Sequence, residues 1–265
     1  MERTLEGRNA VIYGGGGKLG AGVARTFAER GANLFLVGRR HEPLDIAADA
    51  ARAVGAEVET TVFDVLEESA VIAHAEGVAA SAGSLDISFN LTSRMDTHGV
   101  PLVDIAITDF LQTTYVGLAS NFATARAAAK VMSDQESGGV ILGLTSGSSK
   151  VGAPMMGGTG PADASIEVFL RNLAIEAGRD GVRVVGIHTA GVPETFEPSE
   201  LDSNRARRES GLSPEQIDEA IGQRAALGHA PRLQQVADTA AFLASDQAAG
   251  ITGTIVNVTA GLVLQ

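Results

Sequence analysis

The chain has 265 residues, 45% of them hydrophobic, and a formal net charge of −12. That length supports one sizeable core, and the acidic balance excludes nucleic acid and anionic membrane as principal partners. The absence of cysteine excludes disulfides, thiolate metal sites and cysteine nucleophiles, and the five histidines (His41, His74, His98, His188 and His229) show no metal-ligand spacing.

Met1 to Gly7 is too short and polar for a signal peptide, and no apolar run reaches the roughly 18 residues of a membrane span. A cytoplasmic protein is expected. Asn9 to Tyr13 is short, apolar and closed by glycine, the pattern of a buried parallel strand. Gly15, Gly17 and Gly20 then satisfy GxGxxG, in which the missing Cβ atoms permit a tight turn, close approach to a pyrophosphate and close helix packing. A helix opening near Leu19 aims unpaired N–H groups at that phosphate. Its apolar positions, Ala21, Ala24, Phe27 and Ala28, recur at helical spacing, and Gly31 suits the stop before a second strand, Asn33 to Val37.

An NAD-preferring site places an acidic residue at the end of that strand to accept from the ribose 2′-hydroxyl. This chain has Gly38, Arg39 and Arg40 there, and guanidinium groups suit a 2′-phosphate, which favours NADP over NAD. Further apolar strands read at Glu57 to Phe63, Leu85 to Asn90, Gly139 to Leu144, Val182 to His188 and Thr254 to Val258. Alanine-rich helical stretches lie between them, including Asp109 to Met132 and Ala164 to Gly178. The alternation predicts a single α/β domain over residues 1–265, a doubly wound parallel Rossmann sheet of about seven strands with helices on both faces. Ligand then belongs beyond the carboxyl ends of the strands. The segment 193–229, with Pro198, Pro214 and charged helical stretches, reads as a substrate lid.

With the alternation placed, the chain resembles the short-chain dehydrogenase/reductase family over nearly its full length. Asp64 and Val65 resemble the family's adenine-contacting pair; Asn90 begins the place of its Asn-Asn-Ala-Gly loop; Ser146 follows the strand VILGLTS. Arg232 with QQVADTAAFLASDQAAGITGTIVNVTAG resembles the family's closing helix, turn and last strand. The resemblance implies an NAD(P)-dependent oxidoreductase of carbonyl or hydroxyl compounds. It also implies an oligomer, tetramer or dimer, built on the two long helices. In the glycine turn, Gly14, Gly17 and Gly20 fit the spacing of the family's longer members. Lys18 stands at a glycine position and Tyr13 at a threonine position of the commoner register, and Val192 and Thr195 retain later positions of the family's Pro-Gly loop.

The catalytic positions depart from the family. Its members carry Asn, Ser, Tyr and Lys, and at the family's spacing from Ser146 the last two are Thr159 and Asp163; the Asn position falls at Gly117. The longer spacing of the enoyl reductase branch puts Met156 at the tyrosine and still leaves Asp163 at the lysine. Carbonyl reduction needs a proton donor with a pKa tuned toward neutrality. In the family a tyrosine beside a lysine cation serves; Thr159 cannot, and Asp163 reverses the sign of the neighbouring charge. The loop after Asn90 continues Leu91, Thr92, Ser93, with larger side chains where the nicotinamide ribose lies close to backbone in the family.

Lys150, His98 and His188 are the substitute acids that sequence position allows near the strand ends, histidine being the better donor. Met155 and Met156 offer a pliable apolar wall to an apolar small-molecule substrate. Two functional classes stand after this reading: an NADP-dependent oxidoreductase with Ser146 and a substituted proton donor, or a protein keeping the fold for non-redox work such as cyclisation, dehydration, ligand binding or scaffolding.

Overall fold

The computed structural model describes residues 2–196 and 213–264. Seven parallel strands form one sheet in the order β3-β2-β1-β4-β5-β6-β7. They are β1 (Asn9–Tyr13), β2 (Asn33–Gly38), β3 (Val58–Val62), β4 (Ile87–Asn90), β5 (Gly139–Ser146), β6 (Val182–Thr189) and β7 (Ile255–Val258). The order reverses between β1 and β4, which is the topological switch where this architecture binds ligands. β1 is buried at every position, as its unbroken apolar run predicts.

Seven α-helices are described: α1 (Lys18–Glu29), α2 (His41–Arg52), α3 (Glu68–Ala82), α4 (Ile107–Ser133), α5 (Thr159–Ala177), α6 (Pro214–Gly222) and α7 (Leu233–Ala244). Two apolar cores result, one on each face of the sheet. Val23, Phe27, Leu44, Ala47, Val236 and Ala240 join α1, α2 and α7 to one face; Val71, Ala75, Ala128, Met132, Ile166 and Leu170 join α3, α4 and α5 to the other. The Rossmann architecture expected from the sequence is the one observed.

Two boundaries differ in a way that reaches the site. β5 runs on through Thr145 and Ser146, which pair with His188 and Thr189 of β6, so the sheet itself holds Ser146 in place. α5 begins at Thr159 rather than Ala164, so Thr159 and Asp163 lie on the first turns of a helix. Of the expected lid, Pro193–Phe196 forms a short 3-10 turn and Pro214–Gly222 forms α6 behind a Ser213 capping box; residues 197–212, including Pro198, lie outside the described residues.

Candidate active site

The glycine turn joins β1 to α1. Gly14 has φ +81°, and a Cβ there would lie 2.7 Å from the Leu91 carbonyl carbon, so the turn abuts the chain leaving β4. A Cβ on Gly20 would run into the Gly14 carbonyl oxygen. Glycine at both positions brings helix, turn and sheet together, and Gly15 N donates to Val37 O at 3.0 Å to fix the turn on β2. Gly17 is the N-cap of α1; it supplies no side-chain cap, and the first turn through Lys18, Leu19 and Gly20 carries no acidic residue. This is the open, positive helix end that suits a pyrophosphate. The Asn90 amide nitrogen is buried and has no protein partner, so a donor is left at the end of β4 beside the turn.

Arg39 and Arg40 lie at the β2–α2 junction, Arg40 as the N-cap of α2. Arg39 Nη1 is 3.9 Å from Asp64 Oδ2, and both side chains are well exposed. Asp64 also accepts from Leu66 N at 3.0 Å, and Val65 is buried. Tyr13 turns away from the turn: it packs edge-on to Phe63, with ring centres 6.5 Å apart, and burial pushes its phenol above the ordinary range. Val192 and Thr195 are buried, and the Thr195 hydroxyl donates to Val192 O at 2.7 Å. These groups fit a dinucleotide phosphate and ribose.

At the positions expected to be catalytic the structure joins four residues read from the sequence, Ser146, Asp163, Thr159 and His98, to two that were not. Ser146 Oγ donates to Asp163 Oδ2 at 2.5 Å. The other oxygen of Asp163, which is wholly buried, is held by Arg94 Nη1. Arg94 Nη2 also lies 3.6 Å from Asp96 Oδ1. Thr159, 2% exposed, donates to Asp96 Oδ1 at 2.8 Å, and the exposed His98 places Nε2 2.9 Å from the same Thr159 hydroxyl. With its proton on Asp96, Thr159 accepts from the imidazole, so that His98, Thr159 and Asp96 form a directed chain.

Gly117, in the middle of α4, makes room for this. A Cβ there would stand 3.0 Å from Arg94 Cδ and 3.1 Å from Cγ. The guanidinium stem occupies space beside the helix that a larger residue would fill. Met95, with φ +59° and an outward side chain, makes the turn that sends both Arg94 and Asp96 inward. The loop is pinned from the other side, where Gly99 N donates to Met155 O at 3.0 Å. A Cβ on Gly157 would run into the Thr97 carbonyl oxygen, so this contact needs glycine too.

One turn further along α5, Glu167 is 1% exposed and gathers a second cluster. Ser149 Oγ donates to its Oε1 at 2.5 Å, Lys150 Nζ is 2.9 Å from Oε2, and His188 Nδ1 is 3.8 Å from Oε1. Burial raises the Glu167 pKa, but the nearby His188 ring, the Ser149 hydroxyl and the Lys150 ammonium with its charge outweigh it and hold the acid down to about 2. This corrects the substitute-acid reading of two residues. His188 is wholly buried and faces Glu167, not a cleft, and Lys150 is the counterion of Glu167. Met155 is 48% exposed at the mouth of the loop and Met156 is half-buried.

Arg94 and Asp96 escaped sequence reading because their segment has neither period nor motif. A signal for them existed in Gly117: a glycine deep in a long helix marks a close approach. Glu167 could have been found as the residue four positions after Asp163, on the same helix face.

A family model described as Enoyl-(Acyl carrier protein) reductase matches residues 17–263. An uncharacterized oxidoreductase, YxbG of Bacillus subtilis, is 28% identical over 258 residues, 97% of this chain and 92% of the relative. Momilactone A synthase of Oryza sativa is 30% identical over 263 residues, 98% of this chain and 91% of the relative. Among solved structures, a 7α-hydroxysteroid dehydrogenase complexed with NADH and 7-oxo glycochenodeoxycholic acid is 25% identical with a TM-score of 0.82, covering 98% of this chain and 96% of the other.

Proposed function

The chain belongs to the short-chain dehydrogenase/reductase family of NAD(P)-dependent oxidoreductases, and we propose that it uses NADP to interconvert an alcohol and a carbonyl compound through a rebuilt proton site. The observation that carries this reading is the split character of the site. The glycine turn, the uncapped start of α1 and the arginines after β2 keep a nucleotide cradle, whereas the catalytic tyrosine and lysine have given way to an ordered polar network.

A bound nicotinamide supplies hydride exchange at the substrate carbon. The chain's residues handle the proton and the position. Ser146, fixed by strand pairing and partly open, is the hydroxyl that meets the substrate oxygen. Asp163 orients Ser146, and Arg94 supplies the cation that the family's lysine would bring from α5. His98, Thr159 and Asp96 offer a second proton path leading to solvent. Arg39 and Arg40 distinguish the nucleotide by its 2′-phosphate. Met155 and Met95, both exposed at the mouth, favour an apolar substrate.

Leu111, Tyr115 and Phe122 of α4 and Val168 and Ile175 of α5 are exposed apolar residues on the two long helices, which supports a homo-oligomer formed there, dimer or tetramer. No helix among the described residues is long and apolar enough to cross a membrane.

A second reading has its own support. Thr159 and Asp163 are buried at 2% and 0% exposure, so the tyrosine and lysine positions are closed to a ligand, as suits a non-redox or scaffolding protein. Calorimetric titration with NADPH and NADH, followed by turnover with a panel of alcohols and ketones, separates the two. Micromolar NADPH binding with turnover is expected; binding of neither nucleotide transfers the weight to the second reading.

A further inference from the structure

Ser146 has one proton, and the structure commits it. The hydroxyl donates to Asp163 Oδ2 at 2.5 Å, while its oxygen accepts from Ser148 N at 3.3 Å. A carboxylate has no proton to return, and the other oxygen of Asp163 is already engaged by Arg94. Ser146 can therefore present only a lone pair to a ligand. A hydroxyl donor satisfies that lone pair; the oxygen of a ketone or aldehyde sets lone pair against lone pair.

The charge of the cluster points in the same direction. A dinucleotide bound across the switch between β1 and β4 with its phosphates at the glycine turn would have its other half toward the ends of β4, β5 and β6. There Asp96 and Asp163 share the single guanidinium of Arg94, an excess of one formal negative charge within that cluster. The next cation along, Lys150, is paired with Glu167 at 2.9 Å, and the half-exposed Arg171 reaches the same carboxylate from 4.0 Å. An oxidised nicotinamide ring carries a positive charge and a reduced ring carries none.

We propose that this site is built for the oxidised nucleotide together with an alcohol: Ser146 reads the substrate hydroxyl, and the Asp96–Arg94–Asp163 cluster favours the cationic ring. The inference rests on the NADP reading above and gives it a direction. A bound oxidised nucleotide would take the hydride from the carbinol carbon of the alcohol, and Ser146 Oγ would take the hydroxyl proton. The proton already on Ser146 moves to Asp163. A carbonyl compound, reduced nucleotide and a protonated Asp163 remain, which balances two electrons and one proton.

The test is the ratio of dissociation constants for NADPH and NADP+, measured by calorimetry on the full chain as wild type and as Asp163→Asn. Asparagine keeps the shape, removes the charge and can return an N–H to Ser146. The preference for NADP+ over NADPH is expected to fall on the order of tenfold in the variant, the scale of one charge lost at close range in a partly buried site. Asp96→Asn, the other acid of the same cluster, is expected to shift the ratio in the same direction and serves if Asp163→Asn does not fold. An unchanged ratio in a folded variant overturns the proposal while leaving the NADP reading intact. Failure of both nucleotides to bind the wild type overturns the two together.

Discussion

Gly117 and Arg94 are complementary: the hydrogen that serves as the side chain of Gly117 lies where the Arg94 stem crosses α4, and a Cβ would come within 3.0 Å of it. A mid-helix glycine costs roughly 1 kcal/mol relative to alanine. Gly117→Ala is thus expected to be close to neutral, the better helix residue offsetting a small shift of a flexible stem. Gly117→Asn has no such room, and overpacking at this contact is expected to cost roughly 1–3 kcal/mol in urea unfolding. An asparagine variant as stable as the wild type would show that Arg94 does not need the space.

Arg94 neutralises a wholly buried acid, so Arg94→Met leaves Asp163 charged and without its cation. Stranding one partner of a buried pair costs roughly 3–5 kcal/mol, whereas replacing both is often close to neutral. Arg94→Met alone is expected to unfold at markedly lower urea, and adding Asp163→Asn to recover most of the loss. Equal stability of the single and double variants would contradict the pairing.

Glu167 titrates at about 2 when folded, against an ordinary 4.5. Because the folded value is the lower one, the stabilisation is complete above about pH 4.5 and disappears as pH falls toward 2. The shift corresponds to roughly 3 kcal/mol at neutral pH. Glu167→Gln should accordingly be less stable than wild type at pH 6, with a gap that narrows through pH 4 and nearly closes at pH 2.5. A gap constant across that range would remove Glu167 as the source.

Arg39 and Arg40 are expected to distinguish nucleotides by charge. Replacing both with alanine should weaken NADPH roughly tenfold or more, about 1.4 kcal/mol, while NADH changes little. Asp64, 3.9 Å from Arg39, competes with any phosphate, so Asp64→Asn is expected to tighten NADPH modestly. Equal losses for both nucleotides in the arginine variant would withdraw the 2′-phosphate assignment.

The legible part of this chain was the part with a period or a spacing. β1 falls at Asn9–Tyr13, as its apolar run predicts, and the glycine turn announces itself through three residues whose missing side chains each serve a contact. Thr159 and Asp163 were singled out in the same way, by their spacing from Ser146. Their partners were not legible, because Arg94 and Asp96 reach Asp163 and Thr159 from an irregular loop whose course is set by Met95 at positive φ and by contacts with the 151–158 loop. Such a loop carries no pattern that sequence alone can register. His188 shows the converse: a histidine ending a strand suggests a cleft residue, but alternation along β6 turns it toward Glu167 under α5.

Asp163 and Glu167 stand one turn apart on the same face of α5, and the nearest cation of each comes from a loop outside the helix, Arg94 in one case and Lys150 in the other, with Arg171 of α5 reaching Glu167 only at 4.0 Å. An acid cannot be drawn into a dry interior ahead of its counterion without a penalty of several kcal/mol. The lower half of α5 is seated on the sheet by Leu170, Ala174 and Ala177 alone, while its first turns depend on both loops being in place. The active-site end of the helix is then the last part to close and the first to open, so amide exchange is expected to be faster from 162 to 167 than from 170 to 177.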